Sequence, residues 1–116
     1  MKFKNVTEAK KKLISAIEKH HEAALAGDHK KGNKNSDIIL STLDFIDKNY
    51  GFEEMKDLLD HKNEKVRVWV AKSLLPIYED IAITILEEIG KKNIPHCSFD
   101  ARIILSEWKN EPLKFS

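Results

Sequence analysis

Cys97 is the only cysteine in the chain, so neither an intrachain disulfide framework nor a four-thiolate metal centre can be built from it. It stands beside His96 in a stretch expected to be a loop. Sequence neighbours do not by themselves make a nucleophile and its base, and Cys97 reads as a structural thiol. Glycine is limited to Gly27, Gly32, Gly51 and Gly90, too dispersed for a phosphate-cradling loop, and no serine nucleophile elbow occurs. Runs of apolar residues stay well short of the ~18 that suggest a membrane helix. The opening Met1-Lys2-Phe3-Lys4-Asn5 lacks the apolar stretch of a secretory signal, so a cytoplasmic location is expected. An excess of one charge sign is also missing: 20 basic against 19 acidic residues give a formal charge of +1. That balance offers little long-range attraction for a nucleic acid or an anionic membrane.

What the chain does contain is charge and helix formers. Charged residues make up 34% and apolar residues 41%, a composition that suits thin helical layers with much exposed surface. At 116 residues a single domain spanning 1–116 is expected. Residues 6–26 read as a first helix, with Val6, Ala9, Leu13, Ala16, Ile17, His20 and Ala24 at spacings of three and four and Thr7 as its N-cap. Gly27 ends it and Asp28 caps a second helix, about 29–48, whose stripe is Ile39, Leu43, Ile46 and Tyr50, widened by Ile38 and Phe45. The tight turn between them predicts antiparallel packing.

The most informative stretch runs from Leu58 to Pro76. A third helix carrying Phe52, Met55, Leu58 and Leu59 is followed by the polar turn 60–63, and Asn63 is placed to cap a fourth helix that stops near Pro76. Val66, Val70 and Leu74 share one face, with Trp69 and Ser73 on one flank and Arg67 and Ala71 on the other. Lys65 and Lys72 are expected to point away from it. A fifth helix, about 80–89, buries Ile81, Ala82, Ile85, Leu86 and Ile89 and ends at Gly90. Ser98 is placed to cap a sixth with the stripe Ala101, Ile104, Leu105 and Trp108, after which Leu113 and Phe115 would pin a tail. The whole is expected to be all-α: about six helices in a short helical-repeat array.

Chemistry-bearing constellations are sparse. Glu18 and His21 have the Glu-x-x-His spacing of a diiron bundle, but no second copy exists, so no metal is expected. His29, His61 and His96 are scattered and read as solvent-facing. Carboxylate pairs such as Asp44 with Asp47 and Glu53 with Glu54 fall on solvated faces, where nothing raises a pKa for acid–base work. No enzymatic activity and no cofactor are expected. The basic run Lys30-Lys31-Gly32-Asn33-Lys34, with Lys10-Lys11-Lys12 on the preceding helix, is the best case for phosphate contact, although Lys10 to Lys12 spread over about 200° of a helix.

Val66-Arg67, Ala71 and Leu74 after a polar turn resemble the second helix of a HEAT-type repeat. Gly27-Asp28, Gly32-Asn33-Lys34 with Asp37, Leu58-Leu59 through Pro76, Leu86-Glu87-Glu88-Ile89, Ser98-Phe99-Asp100-Ala101 and Glu107-Trp108-Lys109 together resemble a bacterial family of small all-helical proteins catalogued as a domain of unknown function. The chain departs from that pattern at Val70, Lys72, Ser73 and Glu79. The resemblance implies a HEAT-like superhelical scaffold, in a group whose small members look like immunity or other partner-binding proteins.

The expected function is therefore non-catalytic binding of a protein partner, of the immunity or antitoxin type; the alternative is a HEAT-like binder of nucleic-acid phosphates. The expected contact residues are Asp28, Lys30, Lys31, Asn33, Asp37, Arg67, Trp69 and Asp100. Arg67 is expected to be a linker paired with Asp37 or Asp100, and Trp108 a core anchor.

Overall fold

A computed structural model of the chain describes residues 2–112. Among them are five α-helices, α1 (Val6–Ala26), α2 (His29–Asn49), α3 (Glu64–Leu74), α4 (Glu79–Gly90) and α5 (Ser98–Lys109), with a 3-10 helix, Phe52–Asp60, between α2 and α3. No strand occurs among the described residues. The chain divides into two compact units, Met1–Leu58 and Leu59–Ser116. The expected pinning by Leu113 and Phe115 lies outside the described residues.

The first unit is built on the α1–α2 hairpin. Asn5, not Thr7, caps α1, its side chain accepting the backbone N–H of Glu8 at 2.9 Å. Gly27 closes α1 with φ of 71°, a left-handed conformation that costs glycine little, and its N–H bonds the end of the helix. Asp28 follows at once as the N-cap of α2 and accepts from Lys31 N at 3.0 Å. So short a connection forces the helices antiparallel, and they bury Ala9, Leu13, Ala16, Ile17 and Ala23 with Ile39, Thr42, Leu43 and Ile46. Tyr50 is not part of that stripe: it is the C-cap residue, 41% exposed, with its ring 6.2 Å from Phe45. Lys10 crosses to the 3-10 helix and pairs with Asp57 at 2.7 Å.

In the second unit α3 packs on α4 and α5. Asn63 caps α3 as expected, accepting from Lys65 N and Val66 N. Val66, Val70 and Leu74 are buried, and so are Val68 and Lys65. Burial of Lys65 reverses the expectation that it points to solvent. Its ammonium donates to His96 O at 2.6 Å and to the carboxylate of Asp100, so the charge is carried inward with two acceptors waiting. His96 adopts a φ of 54°, and its carbonyl accepts from Lys65 while its side chain stays exposed.

Other expectations also change in this unit. α4 runs through Gly90, and a Cβ there would sit 3.1 Å from Arg102 Cγ, so the missing side chain allows α5 to approach. Ile81 is 44% exposed rather than buried. Ser98 is the first residue of α5, not its cap: its hydroxyl accepts from Ile94 N and donates to Ile89 O, both at 2.7 Å. On α5 only Ser98 and Ala101 are buried. Trp108 is 39% exposed and not a core anchor, because its indole N–H reaches Glu79 Oε2 at 2.8 Å at the exposed start of α4.

Removing Asp100 leaves a buried ammonium with one carbonyl, whereas removing Lys65 leaves a carboxylate that is already half in water. Asp100→Ala is therefore expected to cost roughly 1–3 kcal/mol in urea unfolding, less than a fully buried pair because the Asp100 carboxylate is half in water. Lys65→Met is expected to cost less. The reverse order would show that the ammonium is not held by Asp100.

Candidate functional site

The residues expected to form one contact surface fall into three situations. Asp28 is spent on capping α2. Lys30, Asn33 and Asp37 recur at i, i+3 and i+7 and are exposed together on one face of α2. Lys31 turns away from them, towards α1, where its ammonium lies 3.5 Å from Glu22.

In the second unit the expected charges are engaged internally. Asp100 is held by Lys65 and not by Arg67. Arg67 instead lies 3.8 Å from Glu64, one turn back on its own helix, and its Nε is buried without an acceptor. The linker expected through Asp100 is thus replaced by a local i, i+3 pair. Trp69 is half-buried, with Lys72 5.9 Å above its ring centroid. Cys97 is buried, and burial pushes its thiol up, away from the reactive thiolate. His61 is half-buried and accepts from Asn63 N at 3.0 Å, a turn-forming role rather than a solvent-facing one.

What the fold does assemble is a cleft between α1 and α2. Lys12, Ser15 and Lys19 line it from α1 and Lys31, Lys34 and Asn35 from α2, around a cavity of about 320 Å³. Ala16 and Ile38 complete the lining, so each helix contributes an i, i+3, i+4, i+7 stripe. No carboxylate lines it, and Glu22, on Lys31, is the acid paired with its lysines among the described residues. Asn35 is 5% exposed, its amide donating to Lys31 O at 2.9 Å. The lysine triplet is split by the helix as its angular spread required: Lys10 goes to Asp57, Lys12 to the cleft. Lys12, Ser15, Lys19, Lys34 and Asn35 were not singled out from the sequence as one site. The two matching stripes were legible there, but only the hairpin register sets them opposite each other.

A second cleft, of about 220 Å³, lies between α4 and α5 and is lined by both signs of charge, including Lys91, Arg102 and Lys109 with Glu87 and Glu111. It selects no sign of ligand. Among the described residues no three histidine, cysteine or acidic side chains gather as a metal site, and no helix is long and apolar enough to cross a membrane.

Glu64 gives the second unit a pH dependence. Partial burial pushes its carboxyl up, but a bond from its own backbone N–H and the charges of Lys92, at 3.4 Å, and Arg67 outweigh this and hold it below the ordinary 4.5. A carboxyl lowered in the folded state adds stability above the unfolded value, and loses it as pH falls through the folded one. Glu64→Gln is expected to cost roughly 0.2–1 kcal/mol at pH 7, as for exposed pairs. Urea titrations of the two proteins should converge as pH falls below the lowered value of the folded carboxyl.

No family model, curated protein or solved structure matches this chain.

Proposed function

We propose that this is a non-catalytic, HEAT-like helical scaffold that holds a protein partner, of the immunity or antitoxin kind. The observation that carries this reading is Trp108. Its one polar atom is satisfied by Glu79, yet the side chain remains 39% exposed. An indole fixed by an internal hydrogen bond and left open to water offers a large rigid contact area at little entropic cost, the character of an interface hot spot. Ile77, Ile81 and Phe99 in the same unit are also more than two fifths exposed. Rigid helices present such groups with little reorganisation on binding. Asp100 and Arg67 are engaged inside the protein, so they position the helices rather than meet the partner.

The test is affinity capture from the source cell with the intact chain and with Trp108→Ala, read by mass spectrometry and followed by titration of the purified partner. A stoichiometric protein is expected whose affinity falls at least tenfold in Trp108→Ala, while Trp108→Phe keeps most of the affinity. Circular dichroism melts should show both variants folded. Absence of a stoichiometric protein, or a partner indifferent to Trp108→Ala, would overturn the reading.

A further inference from the structure

We infer that the cleft between α1 and α2 is a binding site for a chain of linked phosphates, as in a nucleic-acid strand or inorganic polyphosphate. The inference stands apart from the protein-partner reading and uses other residues. Its first ground is charge. Five lysines elsewhere are each matched to an acid: Lys10 to Asp57, Lys48 to Asp44, Lys65 to Asp100, Lys92 to Glu64 and Lys109 to Glu87. In the cleft Lys12, Lys19, Lys31 and Lys34 face one cavity against the single carboxylate of Glu22. In a chain whose formal charge is only +1, that is a local excess and not a general one. Four ammonium groups around one hollow repel each other, and an anion placed among them relieves that repulsion.

The second ground is extent. Lys12 and Lys19 are seven residues apart, two turns, or about 10.5 Å along the axis of α1. The cavity of about 320 Å³ compares with roughly 30 Å³ for a water's share of the liquid. A lone phosphate is small against that space and leaves part of the lysine stripe, rooted over two turns of helix, without an anion. Several phosphates in a row can meet them where they stand.

The third ground is what the lining lacks. It contains lysines but no arginine, so it supplies point charges and not the bidentate forks that fix one phosphate's orientation. It contains no aromatic ring on which a base could stack. The ligand is read by its backbone alone. Ser15 and Asn35 add neutral hydrogen-bonding groups between the charges.

The experiment is fluorescence anisotropy with a labelled single-stranded oligothymidylate, competed by inorganic polyphosphate and by orthophosphate, at 50 and 200 mM salt. If three or four lysines each meet a phosphate, log K falls with log salt at a slope of about −2 to −3, and affinity drops roughly 20- to 50-fold over that range. Polyphosphate should compete and orthophosphate at equal phosphate should not; which of oligonucleotide and polyphosphate binds tighter identifies the source. Lys12→Gln with Lys19→Gln should flatten the slope by about 0.7 per lysine lost. Lys62→Gln with Lys72→Gln, an equal change of charge in the other unit, should leave it unchanged. Glu22→Gln, by releasing Lys31, should tighten binding about 1.5- to 5-fold, a gain that misfolding cannot imitate. No binding, full competition by orthophosphate, or equal effects of the two lysine pairs would overturn the proposal.

Discussion

A lysine ammonium can stay charged inside a protein only if acceptors are built around it, and the second unit is organised by that requirement at Lys65. The ammonium takes its acceptors from two places: the carbonyl of His96 and the carboxylate of Asp100 in the first turn of α5. Supplying them ties the start of α3 to the loop before α5. Asp100 is then no longer open to Arg67, which settles beside Glu64. Cys97, between the two acceptors in sequence, is buried with its thiol pushed up. Ser98 closes the same region by joining Ile94 N to Ile89 O.

The first unit depends on a shorter-range constraint. Gly27 in the left-handed region and Asp28 as the next cap leave no slack between α1 and α2. The register of the hairpin follows from that turn: Gly32 comes within 3.8 Å of Ala23 when a Cβ is added, and Lys31 meets Glu22. The same register aligns the lysine stripes. The cationic cleft is thus a consequence of a capping arrangement many residues away from some of the charges it gathers.

The two surfaces differ in kind. The cleft gathers four lysines and no carboxylate in its lining, which favours a partner defined by its own charge and makes binding salt-dependent. α4 and α5 leave Ile81 and Trp108 open to water, and the cleft between these helices carries charges of both signs, which favours shape and apolar contact.

Helix existence and most helix ends were determined by the sequence itself, because they rest on local chemistry: apolar spacing, Gly27 with Asp28, and Asn63 before α3 act within a few residues of one another. Residue type also correctly marked Val66, Val70 and Leu74 as buried. Tertiary structure alone decided which way the ambiguous side chains went. Lys65 looks solvent-facing by type and by angle, and goes inward only because His96 and Asp100, about 30 residues on, provide acceptors. Trp108 completes an apolar stripe on paper but opens to water because Glu79, on another helix, holds its N–H. The lysines of α1 and α2 become a cleft only when a fixed register sets one helix against the other. Partners distant in the chain are invisible to local periodicity, and a charged group's place is fixed by where its partner is.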